Sequence, residues 1–229
     1  MQRKIYLFPL ALLMIAMALH ASTITVKSPT GTALSGVSVT LISTTGAKYT
    51  ATTSSTGTAT VNASNGNYLY IVKGSYYMIG IADIVNSTAT IGGTGATVAN
   101  VSSSPIFVTV NMTATGYPTQ QFTTNTTLYY YTGLTLNFPS KVSAYPYMYT
   151  FKSMTVNGAE QNTTSVNLVT GTNDDIVATY TSSFAFSLPN YVIYAVIAVI
   201  ALAVVLAVVT TKATKHAIIS SSRFNKKIR

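Results

Sequence analysis

TITVKSPTGTALSGVSVTLISTTGAKYTATTSSTGTATVNASNGNYLYIVKGSYYMIG, residues 23–80, alternates short β-prone runs with glycine-bearing turn clusters. Residues 23–27, 37–42, 48–53, 58–62 and 67–73 are rich in Val, Ile, Thr and Tyr, whose branched or aromatic side chains suit a pleated surface, and are predicted as strands. SPTG, STTG, SSTG and ASNG fall between them as turns. Val37, Val39 and Leu41 alternate with polar residues, which marks one buried face. Short strands punctuated this regularly point to a small β-sandwich.

Val26, Gly31, the run Leu34-Ser35-Gly36-Val37-Ser38-Val39-Thr40-Leu41, then Gly46, Thr53, Gly57-Thr58-Ala59 and Gly66-Asn67-Tyr68 form a spaced pattern over residues 23–75. It resembles the carboxypeptidase regulatory-like domain, a prealbumin-like sandwich related in pattern to the Cna-B-type repeats of surface adhesins. The resemblance implies a fold and a spacer or stabilising role, without a catalytic site. Cna-B-type domains often carry a Lys–Asn isopeptide bond beside an acid. Lys27 or Lys48 would supply the amine, but this unit has no matching acid and Asp83 lies beyond it, so the cross-link is not expected.

Residues 81–104 are less patterned and read as an edge strand plus linker, with a domain boundary near Ser104-Pro105. Beyond it, residues 106–112, 127–131, 134–138, 147–151, 165–168 and 176–180 are predicted strands of a second unit. YTFKSMTVNGAEQNTTSVNLVTGTNDDIVATYT, residues 149–181, is similar to the closing hairpins of small sandwich repeats in bacterial and archaeal surface proteins. Ser153-Met154 stands where those repeats often have Ser-Trp.

The two ends are of another kind. Arg3 and Lys4 precede an apolar run over residues 5–19, and Ala16-Met17-Ala18 fits a small-x-small cleavage site, with Ala21 as a second option. Residues 1–21 therefore read as a secretory signal, the alternative being an uncleaved anchor. Residues 191–209, YVIYAVIAVIALAVVLAVV, are uncharged over nineteen positions. As a helix they would extend ~28 Å, close to the hydrocarbon thickness of a bilayer. Asn190 is placed to cap the helix, and Tyr191 and Tyr194 fall where interfacial aromatics belong. A buried core helix is disfavoured because the segment has no polar face. Ala203 and Ala207 have the small-xxx-small spacing that lets helices approach, a spacing that also arises by chance in an Ala-rich span.

The net charge of +9 invites a nucleic-acid reading, and its distribution opposes one. Residues 22–190 hold five lysines (Lys27, Lys48, Lys73, Lys141, Lys152) against four acids (Asp83, Glu160, Asp174, Asp175). Lys212, Lys215, Arg223, Lys226, Lys227 and Arg229 follow the apolar span with no acid. The surplus marks the cytoplasmic side of a membrane, where the tail would lie on anionic headgroups or dock a partner; nucleic acid is not expected.

No cysteine is present, and the two histidines are His20 in the signal and His216 in the tail. Thiol chemistry, a Ser-His-Asp triad and a His or Cys zinc site are thus excluded from the body. Asp174 and Asp175 in GTNDD read first as a hairpin turn and second as a weak Ca²⁺ site. Tyr76-Tyr77, Tyr129-Tyr130-Tyr131, Tyr145, Tyr147 and Tyr149 read first as core and rim residues and second as a platform for sugars. Six N-x-S/T sequons begin at Asn62, Asn86, Asn100, Asn111, Asn125 and Asn162, all in the exported part, where roughly four would arise by chance. Low charge, abundant Thr, Ser and Asn, and no cysteine resemble the surface proteins of thermoacidophilic archaea. With so few carboxylates, strong acid should weaken folding little.

The expected architecture is an all-β ectodomain of two small Ig-like or prealbumin-like β-sandwiches plus one C-terminal transmembrane α-helix. The expected segments are a signal peptide (1–21), the carboxypeptidase regulatory-like sandwich (22–104), a second sandwich (105–183), a juxtamembrane segment with the transmembrane helix (184–211) and a basic cytoplasmic tail (212–229). No catalytic, cofactor or metal residues are expected, and no enzyme activity. The expected role is structural, adhesive or protein-interacting in the cell envelope, beside S-layer or other envelope proteins and with glycans possible. The alternatives are an accessory subunit of a membrane transport, secretion or respiratory complex, and a carbohydrate-binding module. The expected location is the plasma membrane, with the body outside and the tail inside.

Overall fold

A computed structural model describes residues 21–184 and 190–225. The signal segment lies outside the described residues except for Ala21, as do the last four residues of the tail. By packing the chain divides into two units, Met1–Ser183 and Phe184–Arg229.

Among the described residues the first unit is built of strands, in three sheets. A three-stranded sheet has the order β4-β1-β7: β1 (Ser22–Lys27) between β4 (Thr58–Val61) and β7 (Thr88–Gly92). A four-stranded sheet has the order β10-β9-β12-β16: β9 (Thr109–Thr113), β10 (Gln120–Thr123), β12 (Leu134–Asn137) and β16 (Ser165–Leu168). A ten-stranded sheet runs β13-β14-β17-β8-β11-β6-β5-β2-β3, with β15 (Ala159–Gln161) paired to β14. Its other strands are β2 (Ser38–Ile42), β3 (Lys48–Thr52), β5 (Gly66–Lys73), β6 (Tyr77–Ile84), β8 (Thr97–Ser104), β11 (Thr126–Tyr130), β13 (Lys141–Ala144), β14 (Tyr147–Val156) and β17 (Asp174–Phe184).

Side-chain alternation explains how the long sheet serves two cores. Successive residues of a strand point to opposite faces. In β5, residues 68–72 are all buried. Tyr68, Tyr70 and Val72 enter a core with Ile24 and Val26 of β1 and Val61 of β4. Leu69 and Ile71 enter the other core, with Val110, Met112 and Leu136 of the four-stranded sheet. An unbroken apolar run is the signature of a strand covered on both faces. β6 behaves likewise: Met78, Ala82 and Ile84 face the first core and Ile79 the second.

The sheet crosses the expected boundary at Ser104-Pro105. β8 precedes it in sequence, yet pairs antiparallel with β11 and parallel with β17, both of which follow it. β11 in turn pairs parallel with β6. Residues 81–104 do supply an edge strand, β7 of the three-stranded sheet, but not a linker: β8 lies well inside the long sheet, with Thr97, Ala99 and Val101 buried. Its weak pattern has a local cause, since small and polar side chains (Thr, Ala, Asn, Ser) supply most of the strand. Most of the other predicted strands lie within a residue or two of the observed ones. β14 and β17 run longer than expected: β14 continues through residues 152–156 into the core, where Met154 is fully buried, and β17 continues through residues 181–184 past the core. β6, β10, β13 and β15 are additional strands.

Two close approaches depend on glycine. Gly80 in β6 sits opposite Tyr70 in β5. A Cβ there would lie 2.6 Å from the Tyr70 hydroxyl oxygen and 2.7 Å from its Cζ. Gly92 has φ +74°, and a Cβ there would collide with the Lys27 carbonyl oxygen.

The second unit contains α1 (Asn190–Asn225). Within it, Tyr194–Lys212 has mean hydropathy 2.7 and is long and apolar enough to cross a membrane. Ile197, Val199 and Leu202 are more than half exposed. Near the lysine end, the Thr210 hydroxyl donates to the Leu206 carbonyl at 2.9 Å and that of Thr211 to the Ala207 carbonyl at 2.9 Å. Such back-bonding lets a hydroxyl sit in an apolar span without an unsatisfied proton.

Candidate functional site

The six sequon asparagines are all exposed. Asn86 has φ 51° and Ser87 φ 59°, the geometry of a two-residue type I′ turn between β6 and β7. Asn125 has φ 64°, between β10 and β11. Asn62 and Asn162 lie in connections, and Asn100 and Asn111 on the outward faces of β8 and β9. The Asn100 Oδ1 accepts from the Thr127 hydroxyl at 3.0 Å and the Asn111 Oδ1 from Gln121 Nε2 at 2.8 Å. Both contacts use the carbonyl oxygen, not the amide nitrogen to which a glycan would be joined.

Asn100 is the centre of a polar row. Its register partners are Thr127 in β11 and Asp175 in β17. These three, with Val101, Ser102, Asn125 and Thr126, line an open hollow of about 230 Å³. The face is open here because the three-stranded sheet covers the other end of the long sheet. Two sequon asparagines thus flank one hollow, an arrangement that no local pattern in the sequence displays.

Asp174 and Asp175 do not converge. Asp174 turns toward Tyr130, whose hydroxyl donates to the carbonyls of Val169 at 3.0 Å and Thr172 at 2.9 Å and reaches the Asp174 carboxylate at 3.3 Å. Burial, then the neighbouring Asp174 charge, push the Tyr130 hydroxyl up to about 12. Asn157, at φ 53° in the Asn-Gly turn between β14 and β15, donates from Nδ2 to Asp174 Oδ1 at 3.1 Å and accepts the Asp175 N–H at 2.8 Å. The pair therefore opens β17, tied to the Asn157-Gly158 turn, and does not itself lie in the hairpin turn expected of it. Among the described residues, no three His, Asp or Glu side chains come together as metal ligands.

The tyrosines divide by position. Tyr68, Tyr70, Tyr130 and Tyr180 are buried. Tyr129 and Tyr131, on either side of Tyr130, pack against the other core. Tyr76 meets Tyr129 edge-on at 5.3 Å, and Tyr131 donates to the Gly93 carbonyl at 2.6 Å. The triple-tyrosine run is thus structural. Among the described residues of the body, exposed aromatics include Phe107 and Phe184, but the exposed tyrosines are on the β13–β14 hairpin, where Tyr145 is 83% and Tyr147 43% exposed. The Tyr-Pro-Tyr spelling of residues 145–147 is the sequence signal for this, since proline marks the turn and places both rings beside its tip.

No family model matches the chain, and no curated protein does. Two solved structures are similar to parts of it. The Bacillus anthracis TIE protein is 11% identical, with 72% of this chain and 34% of that one covered and a TM-score of 0.26. The pilus adhesin SpaC from Lactobacillus rhamnosus GG is 9% identical, with 69% and 31% covered and a TM-score of 0.20. The chain spans about a third of the length of each. Likeness at this level assigns neither family nor activity.

Proposed function

We propose that this chain is a single-pass membrane glycoprotein of the cell envelope with a structural, adhesive or protein-interaction role. Its body would be two prealbumin-like and Ig-like sandwiches fused through a shared sheet, the first of carboxypeptidase regulatory-like type. The signal segment exports the body, α1 crosses the plasma membrane, and the basic tail stays in the cytoplasm. The role is non-catalytic, and the source is an archaeal-type cell surface, in keeping with the composition. The observation that supports this best is the joining of a β-body, its surface rich in Ser, Thr and Asn, to a helix of membrane-spanning length within a few residues of β17. The six exposed sequon asparagines support glycan attachment, which would add hydrated cover to a surface poor in charge.

Whole-cell crosslinking followed by mass spectrometry tests the reading. Envelope or S-layer proteins crosslinked to the body, and glycan mass on peptides containing Asn86 or Asn125, are expected. Protease added to intact cells should remove the body and leave the tail. A tail labelled from outside by an impermeant reagent would overturn the orientation. Extraction in a defined stoichiometric complex would favour an accessory subunit instead.

A further inference from the structure

Given the membrane anchorage proposed above, a second membrane contact is built into the body. The last buried residue of β17 is Tyr180, and residues 181–184 continue as exposed strand, about 13 Å beyond the core. β14 runs beside this projection. The Thr181 hydroxyl donates to the Thr150 carbonyl at 3.4 Å and the Ser183 hydroxyl to the Met148 carbonyl at 3.3 Å. On its other side β14 pairs with β13, Ser143 opposite Met148 and Ala144 opposite Tyr147. The turn at Tyr145-Pro146 is therefore one residue pair beyond the level of Ser183, at the end from which the chain leaves for α1. Tyr191 is eight residue steps from Ser183, a reach of at most about 28 Å.

This tip carries the exposed tyrosines of the described body. Tyr145 is 83% exposed and Tyr147, 6.3 Å from Tyr149 by ring centroids, 43%. A tyrosine ring with a wet hydroxyl is the side chain favoured at a headgroup layer. The hairpin strands carry Lys141 and Lys152, both exposed, and no acid, which suits anionic lipid. Residues 128–161 contain no sequon, so no N-linked glycan would stand on the hairpin. We propose that the β13–β14 turn, led by Tyr145, seats in the outer headgroup layer of the same bilayer that α1 crosses. Tether and turn would give the body two attachments to the bilayer.

The chain contains no tryptophan, which makes a direct test available. Three single variants of the full chain, Tyr145→Trp, Val169→Trp and Tyr194→Trp, are reconstituted in phosphatidylcholine–phosphatidylglycerol vesicles with and without brominated acyl chains. Val169 is 65% exposed in the turn before β17, about 30 Å along that strand from Ser183. Brominated lipid is expected to reduce Tyr145→Trp emission about twofold, with a blue shift, and to leave Val169→Trp unchanged. Quenching of Tyr194→Trp reports helix insertion on its own. Quenched Tyr194→Trp with unquenched Tyr145→Trp would overturn the hairpin contact and leave the anchorage standing. Unquenched Tyr194→Trp would sink both. Equal quenching of Tyr145→Trp and Val169→Trp would show a body lying flat on lipid, and shielding of Tyr145→Trp from iodide without lipid quenching would show a protein partner; either result would overturn the contact.

Discussion

Leu136 in β12 and Ile24 in β1 are fully buried, in different cores and different sheets. Truncating either to alanine should cost about 2–5 kcal/mol. The shared sheet determines how that loss is read out. Ile42, Leu69, Ile71 and Ile79 belong to strands before Ser104, yet all four are buried in the core completed by strands after it. Unfolding the first half alone would strip them from that core, losing about 1.5–3 kcal/mol each, an upper bound because an unfolded chain is not fully extended. The sum, about 6–12 kcal/mol, is as large as the whole stability of a typical domain. Tyr129 and Tyr131 make the reciprocal contribution from β11. Neither half should therefore melt alone. Calorimetry of the detergent-solubilised full chain is expected to show one transition for the β-body. Leu136→Ala and Ile24→Ala should each lower that transition by about 4–20 °C, at about 2–4 °C per kcal/mol for a cost of about 2–5 kcal/mol. Two resolved transitions, with each substitution moving only its own, would refute the coupling through β5 and β6.

Gly80→Ala should destabilise the body by about 1–3 kcal/mol, because the added methyl meets a Tyr70 ring that has no room to retreat; a urea midpoint shift measures it, and Tyr70→Leu should largely relieve it. Tyr130→Phe leaves the Val169 and Thr172 carbonyls without their donor and should cost about 1–3 kcal/mol, with faster amide exchange in residues 169–173 as the local signature. The phenols of Tyr77, Tyr130 and Tyr180 are raised from the usual value near 10 to about 12, chiefly by burial. Their folded forms hold protons that the unfolded chain releases, so this contribution to stability is fully present below pH 10 and is lost as pH rises through about 12. Melting temperature measured from pH 9 upward should fall over that window, and Tyr130→Phe should shallow the fall.

The sequence by itself determined the local features. Strands β1 to β5 were legible because β-branched alternation and glycine turns depend only on neighbours a few residues away. The apolar span was legible because its length and lack of charge are properties of one continuous segment. The exposure of the six sequon asparagines agrees with their polar settings. Tertiary structure alone decided the rest. β8 has too little hydrophobic contrast to announce an interior strand, and its partners β11 and β17 lie more than twenty residues downstream, beyond the reach of any local pattern. The continuous burial of residues 68–72 depends on two different sheets covering β5, a property of three layers and not of one strand. The tyrosines show the same division most plainly. Tyr129 and Tyr131 are anchored in a core by strands that neighbour them only in space, while Tyr145 is left outside because its hairpin runs past the end of the four-stranded sheet.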